Sequence, residues 1–363
     1  MSPFAWAQLL TPRGSAFAGT LLLLATAWAS VLWAADQTVA LQAAFRLTEV
    51  VALCYLVVLQ SSAVRQRLIS ALVLSAAAQG VIAVTQFFRQ EVPGSTWLGM
   101  DPQLPSELGA SVVELADGRW LRAYGTFPHP NILGGFLVVG ILFGALWYQL
   151  SYERIERVLA FACGLLASVG LALTFSRSAM LALAAGLFVW LALAAVRFRR
   201  EFVPLARYAL AAALVLAAAG ALALPQATAR LTSVGRLEVK SLAERRELLD
   251  EGLRLAQQSF PLGVGIGNAT AAAYRADPSR PAWSYQPVHN LSLLILLELG
   301  ISGLLGLAGV LFGLLWLAWS RRQWYGVSIV ASLLVLGWLD HYLWSLFPGV
   351  SLFWLSIFVS EKS

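Results

Sequence analysis

Long apolar runs separated by short arginine clusters constrain this chain more than any other feature. Hydrophobic residues make up 59% of the sequence and charged residues only 12%, against about 25% charged residues in a typical soluble domain. A helix needs about 20 mostly apolar residues to cross the hydrocarbon core of a bilayer. The sequence therefore predicts an all-α polytopic membrane protein, with residues 1–363 forming a single membrane domain.

Hydropathy divides the chain into about ten transmembrane helices, with an error of about two, because span boundaries taken from hydropathy are soft. The predicted spans lie at about residues 16–33, 48–62, 68–88, 131–150, 158–174, 179–196, 208–224, 291–319, 327–339 and 343–359. The first span resembles a signal peptide in its small residues Ala27 and Ala29. The length of its apolar core instead favours a retained membrane anchor.

The arginine clusters fall after every second span, and this asymmetry predicts the orientation of the chain. Lys and Arg accumulate in short cytoplasmic loops, so both termini are expected in the cytoplasm. Two long polar segments are then expected on the outer side: a loop at 89–130 between spans three and four, and a loop at 225–288. Topology thus explains the formal net charge of +6, and we expect no nucleic-acid partner.

The second outer loop is expected to contain an amphipathic helix followed by a flexible turn. Ser241 and Glu244 form a capping-box pattern, and leucines recur near helical spacing over about residues 242–258. The glycine-rich turn after Pro261 is not a dinucleotide-binding fingerprint, because no strand–helix unit surrounds it. A helix lying at the outer membrane surface is the simplest interpretation of the apolar face.

Arginines on the outer side are the first candidates for chemistry, because orientation places positive charge on the opposite side. Arg177 stands on a tight outer turn between spans five and six. Its planar guanidinium suits bidentate binding of a phosphate, although an arginine that reaches lipid headgroups is the alternative interpretation. Arg245 and Arg246 are weaker candidates, since pairing with Glu244 and Glu247 on a solvated helix face also explains them.

His289 marks the point where the chain re-enters the membrane and is the natural general base of this sequence. Glu298 lies about 180° from it around an ideal helix, so we expect Glu298 to be a structural partner within the helix bundle. His341 beside Asp340 is a second histidine at an outer span end. For either histidine, an interfacial position without function is the alternative to a role in the site.

A further polar segment, from Arg122 to Asn131, lies at the mouth of span four. Arg122 and Asn131 are candidate substrate-binding residues, together with Ser176, Asn290 and His341. The alternative for this segment is an entry turn in which Asn131 caps the helix. The sequence contains no HExxH, cysteine-rich or P-loop pattern, so we expect no metal site and no cofactor.

Taken together, these motifs resemble the O-antigen ligase and polymerase superfamily. The set comprises Gly125-Thr126-Phe127 with Asn131, Thr174-Phe175-Ser176-Arg177, Arg245-x-Glu247-Leu248, Gly263-Val264-Gly265-x-Gly267-Asn268, and His289-Asn290 followed by Glu298, Gly300 and Gly303. The resemblance covers roughly residues 123–303, and the later Asp340-His341-Tyr342 also looks like some members. The order and spacing of the motifs, and their shared outward side, make the set fairly specific.

The resemblance implies a multi-pass glycosyltransferase of the bacterial inner membrane with a GT-C-like fold. Such an enzyme takes a glycan from undecaprenyl diphosphate and passes it to an acceptor on the outer side, facing the periplasm or the exterior, without a metal ion. By matching position, Arg177 and one loop arginine bind the diphosphate, and His289 activates the acceptor hydroxyl, so inversion is expected. Arg245 is preferred because the following Glu-Leu then falls into the family register, although a one-residue shortening near Gly263 leaves Arg246 open.

Two departures from the family pattern leave the subfamily open. Leu249 stands where an aromatic is usual, and about ten spans are fewer than the dozen common in ligases. The sequence does not separate a ligase, which joins a finished glycan to a lipid A-core-like acceptor, from a polymerase, which joins repeat units on lipid carriers. A small-solute transporter is the alternative from another class, and the clustering of ionisable residues at outer span ends counts against it.

Overall fold

A computed structural model describes residues 11–116, 118–197, 199–232 and 236–359. In chain order the elements are α1 Pro12–Ser30, α2 Gln37–Val58, α3 Ser62–Arg89, β1 Val112–Leu115, β2 Gly118–Leu121, α4 Pro130–Leu150, α5 Arg154–Leu173, α6 Arg177–Arg197, α7 Arg199–Leu222, α8 Leu224–Thr232, α9 Arg236–Ser259, α10 Ala269–Ala276, α11 Leu291–Ser320, α12 Trp324–Leu339, α13 Tyr342–Ser345 and α14 Phe347–Val359. A single turn of 3₁₀ helix, Ala282–Ser284, precedes α11.

Seven of the described helices are long and apolar enough to cross a membrane: α2 to α6, α7 from Glu201 onward, and α11. This confirms the prediction of an all-α protein with several membrane passes. Helix α1 and the two shorter apolar helices α12 and α14 lie where the other three spans were predicted. The total of about ten spans therefore stays a prediction.

The two long polar segments, residues 89–130 and 225–288, contain more regular structure than the sequence indicated. Helix α9 begins at Arg236, so Ser241, the predicted cap, lies inside the helix. The residues before Ser241 are mostly good helix formers, which outweigh the capping pattern. The loop at 89–130 contains an antiparallel hairpin in which Val112 pairs with Leu121. Strands this short give little periodicity, and the sequence analysis did not find them.

The chain divides into two compact units, and each is described by itself. The first unit comprises Met1–Leu59 together with Ala243–Ser363, and the second comprises Gln60–Leu242. In the second unit α4 is the central helix, because nearly all of its residues are buried in the protein. Tyr208 on α7 is buried beside it and donates a hydrogen bond to the Ile141 carbonyl at 3.0 Å.

Close packing of α1 against α11 forms the core of the first unit. A stripe of small residues on α11 faces α1: a Cβ added at Gly306 would lie 2.9 Å from the Leu23 nitrogen, and one at Gly309 would lie 3.1 Å from the Gly19 Cα. Any larger side chain at these positions would push the two helices apart. Small residues allow this approach of backbones in membrane proteins, where packing and hydrogen bonds drive helix association.

Helix α11 is interrupted at Gly300, where the backbone has φ 65° and ψ −161°. The loop after α9 fills the break, since Val264 N–H donates to Leu297 O at 2.8 Å and Gly265 N–H donates to Glu298 O at 2.9 Å. The positive φ and the close approach of this loop both require glycine at position 300. The glycine-rich segment therefore completes the hydrogen bonding of a broken helix inside the membrane.

Asn268 ends the glycine-rich segment and ties it to the connection between α1 and α2. Its side chain is fully buried, accepts the N–H of Asp36 at 2.7 Å and donates to Ile266 O at 3.0 Å. Ser30 at the end of α1 accepts the N–H of Ile266 at 3.0 Å. This part of the motif is structural: it holds the start of α10 in place and, through the broken helix, fixes the segment that follows His289.

Candidate active site

His289 lies just before α11 and forms a hydrogen bond with a buried carboxylate. Its Nδ1 is 3.2 Å from Oδ1 of Asp340, and the two side chains are 21% and 6% exposed. The same Oδ1 accepts the backbone N–H of His341 at 2.9 Å. A carboxylate at Nδ1 favours the proton on that nitrogen and leaves Nε2 as the acceptor, which is the arrangement that suits a general base.

His341 packs against His289 and is held in a neutral state. The centroids of the two imidazole rings are 4.8 Å apart, and Nδ1 of His341 lies 2.6 Å from the hydroxyl oxygen of Ser345. Burial lowers the pKa of His341 to about 4; the charges of His289 and Arg245 act in the same direction, and Asp340 acts against them. His341 is therefore uncharged near pH 7 and adds no positive charge beside His289.

Helix α9 presents Arg245, and not Arg246, to the histidine pair. Arg245 is partly buried and close enough for its charge to lower the pKa of His341, whereas Arg246 is exposed. The two residues are neighbours on one helix and point about 100° apart around its axis. The role of Arg245 as the diphosphate-binding arginine stays a prediction.

A partly buried ion pair anchors α9 to the segment that leads to His289. Arg280 binds both carboxylate oxygens of Glu251, with distances of 2.7 and 3.2 Å. Its guanidinium also lies 4.7 Å from the centroid of the Tyr285 ring. A bidentate pair over an aromatic face has little freedom to rotate, so the position of Arg245 depends on this contact.

Asn290 and Glu298 have structural partners. Asn290 caps α11 by accepting the N–H of Leu293 at 2.9 Å, and its amide donates to Trp338 O at 3.3 Å. Glu298 is buried and accepts the indole N–H of Trp344 at 2.8 Å, while the N–H that begins α10 lies 3.5 Å from its other oxygen. Glu298 is thus a partner within the bundle, as the sequence analysis expected.

In the second unit, Arg177 is the first residue of α6 and lies beside an arginine that the sequence analysis did not select. Its guanidinium donates to the carbonyl oxygen of Arg230 at 3.3 Å, and Arg230 donates to Phe175 O at 3.3 Å. Ser176 is buried, with its hydroxyl 3.2 Å from that of Ser178. The sequence contains several arginines in this loop, and only the contacts in the structure distinguish Arg230 from the others.

Arg122 and Asn131 are buried and form a hydrogen bond with each other, next to the turn that precedes Arg177. Arg122 donates to Thr174 O at 2.7 Å and to the amide oxygen of Asn131 at 2.8 Å. The alternative interpretation, in which Asn131 caps α4, is wrong: His129 is the cap, and its Nδ1 accepts the N–H of Asn131 at 3.1 Å. The imidazole reaches this N–H because Pro130 is the first residue of the helix, which places the cap two residues before Asn131.

Two glutamines in α3, which the sequence analysis missed, hold the turn before α4. Gln86 accepts N–H groups of Tyr124 and Gly125 at 3.0 and 2.8 Å and donates to Gly125 O at 2.7 Å. Gln79 accepts the N–H of Thr126 at 2.9 Å and donates to its hydroxyl at 2.7 Å. The spacing of these glutamines could have revealed them, because two amide side chains seven residues apart in an apolar span lie on one face of the helix.

Among the described residues, His289, Asp340 and His341 could also hold a metal ion. One ligand atom from each lies within 4.8 Å of the others. In a tetrahedral zinc site with bonds of 2.0–2.1 Å, ligand atoms are about 3.4 Å apart, so the three side chains would have to move closer together. That the protein requires no metal ion therefore stays a prediction, which addition of a chelator to the transfer assay tests.

Comparison with known proteins adds one finding. Residues 159–308 match the family model described as O-Antigen ligase. The matched segment contains Arg177, Arg245, Arg246, the glycine-rich turn and His289, whereas Arg122 and Asp340 lie outside it. The match confirms the resemblance to the O-antigen ligase and polymerase superfamily and supports a function of that general type. No match to a curated protein was found for the chain.

Proposed function

We propose that this protein is an O-antigen ligase-type glycosyltransferase with a GT-C-like fold in the bacterial inner membrane. It moves a glycan from undecaprenyl diphosphate to a hydroxyl of an acceptor sugar on the outer side, without a metal ion and with inversion. The observation that carries the proposal is the contact of 3.2 Å between His289 and the buried Asp340. A histidine oriented in this way is equipped to accept a proton from a hydroxyl.

His289 is the proposed general base. Asp340 keeps the proton of the imidazole on Nδ1, and Nε2 takes the proton of the acceptor hydroxyl. The hydroxyl oxygen forms a bond to the anomeric carbon while the bond from that carbon to the diphosphate oxygen breaks on the opposite face. Asp340 then stabilises the imidazolium that forms, without taking up its proton.

Arginines are proposed to neutralise the charge that grows on the departing diphosphate. Arg177 binds phosphate oxygens through its guanidinium, and Arg230 adds a second positive charge at the same outer turn. Arg245 has the corresponding role beside the histidine pair. Donors that are in place before the reaction stabilise developing charge more than mobile ones do. The contacts of Arg122 with Thr174 and Asn131 support a positioning role for Arg122.

A ligase and a polymerase differ in the acceptor of the glycan. A ligase transfers to a lipid A-core-like acceptor, whereas a polymerase transfers to a repeat unit on another lipid carrier, and the same proposed residues serve both. Transport is less favoured, because the carbonyl groups at the break in α11 already accept hydrogen bonds from Val264 and Gly265. In transporters, such groups coordinate the transported ion.

Transfer by the purified, full-length protein tests this proposal. The wild type is expected to move a glycan from an undecaprenyl-diphosphate donor to acceptor sugar and to invert the anomeric configuration, as detected by NMR. His289→Ala is expected to lose transfer, while Arg246→Gln, a change at an exposed residue of the same unit, retains it. Equal transfer by wild type and His289→Ala, or retention of configuration, contradicts the proposed mechanism.

A further inference from the structure

A cavity of about 210 Å³ lies within the first unit, beside the histidine pair. Its polar lining includes Arg46 from α2, Thr270 from α10, Glu298 from α11 and Ser345 from α13. Ser345 is the residue whose hydroxyl oxygen lies 2.6 Å from Nδ1 of His341. Arg46 and Thr270 have no role in the proposed transfer reaction.

The cavity has more hydrogen-bond donors than acceptors. Neither the guanidinium of Arg46 nor the hydroxyl of Thr270 has a hydrogen-bond partner in the part of the chain that the structure describes. The carboxylate of Glu298 is already engaged by Trp344 and by the start of α10. An arginine side chain offers five N–H donors and no acceptor. Arg46 is exposed and Thr270 partly buried, so both donors are accessible to an oxygen-rich anion.

The position of Arg46 along α2 makes an unmatched charge costly. Arg46 lies nine residues after the start of a helix, Gln37–Val58, that can span the membrane, which places its Cα about 13 Å along the helix axis. Glu49, three residues further on, forms no ion pair with it among the described residues. Charged side chains inside membrane segments generally pair with a counter-charge or serve a function.

The remaining wall of the cavity is apolar and suits an acyl chain. Leu47, Phe347 and Val350 contribute to it, from α2 and α14. A site lined by a cationic group and by an apolar wall matches a lipid better than a free ion. The stated volume is several times the 30 Å³ or so that one water occupies in the liquid, which is enough for a phosphate group.

We infer that this cavity binds the phosphate of an anionic membrane lipid, with Arg46 and Thr270 as donors and the acyl chain along the apolar wall. Guanidinium–phosphate pairs are strong because both partners are charged and the geometry is bidentate. The inference goes beyond the proposed transfer reaction, and lipid binding is measurable whether or not the protein transfers a glycan.

Native mass spectrometry of the purified, full-length protein tests the inference. The protein is exchanged into micelles containing phosphatidylglycerol or an uncharged diacylglycerol, and the bound lipid is counted as detergent is removed. The wild type is expected to retain one phosphatidylglycerol, and Arg46→Gln to lower this retention at least tenfold. Thr270→Val, which keeps the side-chain volume, is expected to lower it about threefold.

Arg254→Gln is the matched control, because Arg254 is an exposed arginine of the same unit with only a 3.9 Å contact to Glu251. It is expected to retain phosphatidylglycerol like the wild type. Equal retention by wild type and Arg46→Gln at equal melting temperatures overturns the inference, and so does equal retention of diacylglycerol. Displacement of the lipid by millimolar inorganic phosphate would identify a site for free phosphate and overturn the assignment to a lipid.

Discussion

Replacement of Asp340 by asparagine is the most informative perturbation of the site. Asparagine keeps the shape of the side chain, and its amide oxygen can still accept the N–H of His341, which lies 2.9 Å from Oδ1 in the wild type. The negative charge 3.2 Å from Nδ1 of His289 is lost. If the amide nitrogen faces His289 instead, it favours the tautomer in which Nε2 carries the proton and cannot act as a base.

The expected loss follows from the hydrogen bond that disappears. A hydrogen bond to a charged group contributes about 1.5–3 kcal/mol, and each 1.4 kcal/mol or so of activation free energy changes the rate tenfold. Asp340→Asn is therefore expected to lower kcat for glycan transfer about 10- to 150-fold. KM is expected to change little, because Asp340 stabilises the imidazolium that forms during the reaction and is not proposed to touch the substrate.

The assay is transfer from a lipid-diphosphate-linked glycan by purified variants, with kcat and KM measured separately. Asp277→Asn is the control for the substitution itself, because Asp277 lies in the same unit, half exposed, with Ser279 and Arg280 as its partners. A kcat within twofold of wild type for Asp340→Asn, with an unchanged melting temperature, refutes the role of Asp340. A rise in KM alone places Asp340 in substrate binding instead.

Further predictions concern charge, metal and pH. Arg177→Lys is expected to lower kcat/KM for transfer at least tenfold, because an ammonium cannot reproduce the bidentate guanidinium; activity near the wild-type level would argue against phosphate binding there. Arg245→Gln is expected to lower kcat/KM far more than Arg246→Gln, and the reverse order would assign the role to Arg246. EDTA is expected to leave transfer unchanged, whereas loss of transfer that added zinc restores would show a metal enzyme. Protonation of His341 is expected to destabilise the fold as the pH falls from 6.5 to 4, because its pKa is about 4 in the folded state and 6.5 otherwise, so the unfolded chain binds the proton more readily. The loss amounts to about 3 kcal/mol, and melting temperatures of wild type and His341→Gln across this range measure it; parallel curves would contradict the burial of His341.

The sequence was sufficient to predict an all-α protein with several membrane passes, because hydropathy depends on local composition alone. Seven of the described helices have the length and hydropathy of spans, and the three other predicted spans coincide with described helices. The same reasoning did not find the hairpin at residues 112–121, nor the start of α9 at Arg236. In both places the local pattern was weak or contradictory.

Pairings between distant residues could not be predicted from one sequence. Asp340 was noted only as a neighbour of His341, although in the structure its carboxylate binds His289, 51 positions earlier. Arg230 has no distinguishing local pattern, and only the fold places it beside Arg177. The glycine-rich motif was expected to be a flexible turn, whereas its N–H groups satisfy the carbonyls at the break in α11. Each of these depends on tertiary contacts.

The most direct test of the central claim is the content of lipid-linked glycans in cells that lack this protein and in cells that carry only His289→Ala. We expect both to accumulate long glycans on undecaprenyl diphosphate, because the polymer is made but not transferred. Accumulation of single repeat units would instead identify a polymerase. Normal lipid-linked and surface glycans in both cell types would contradict the assignment of this protein as a glycosyltransferase.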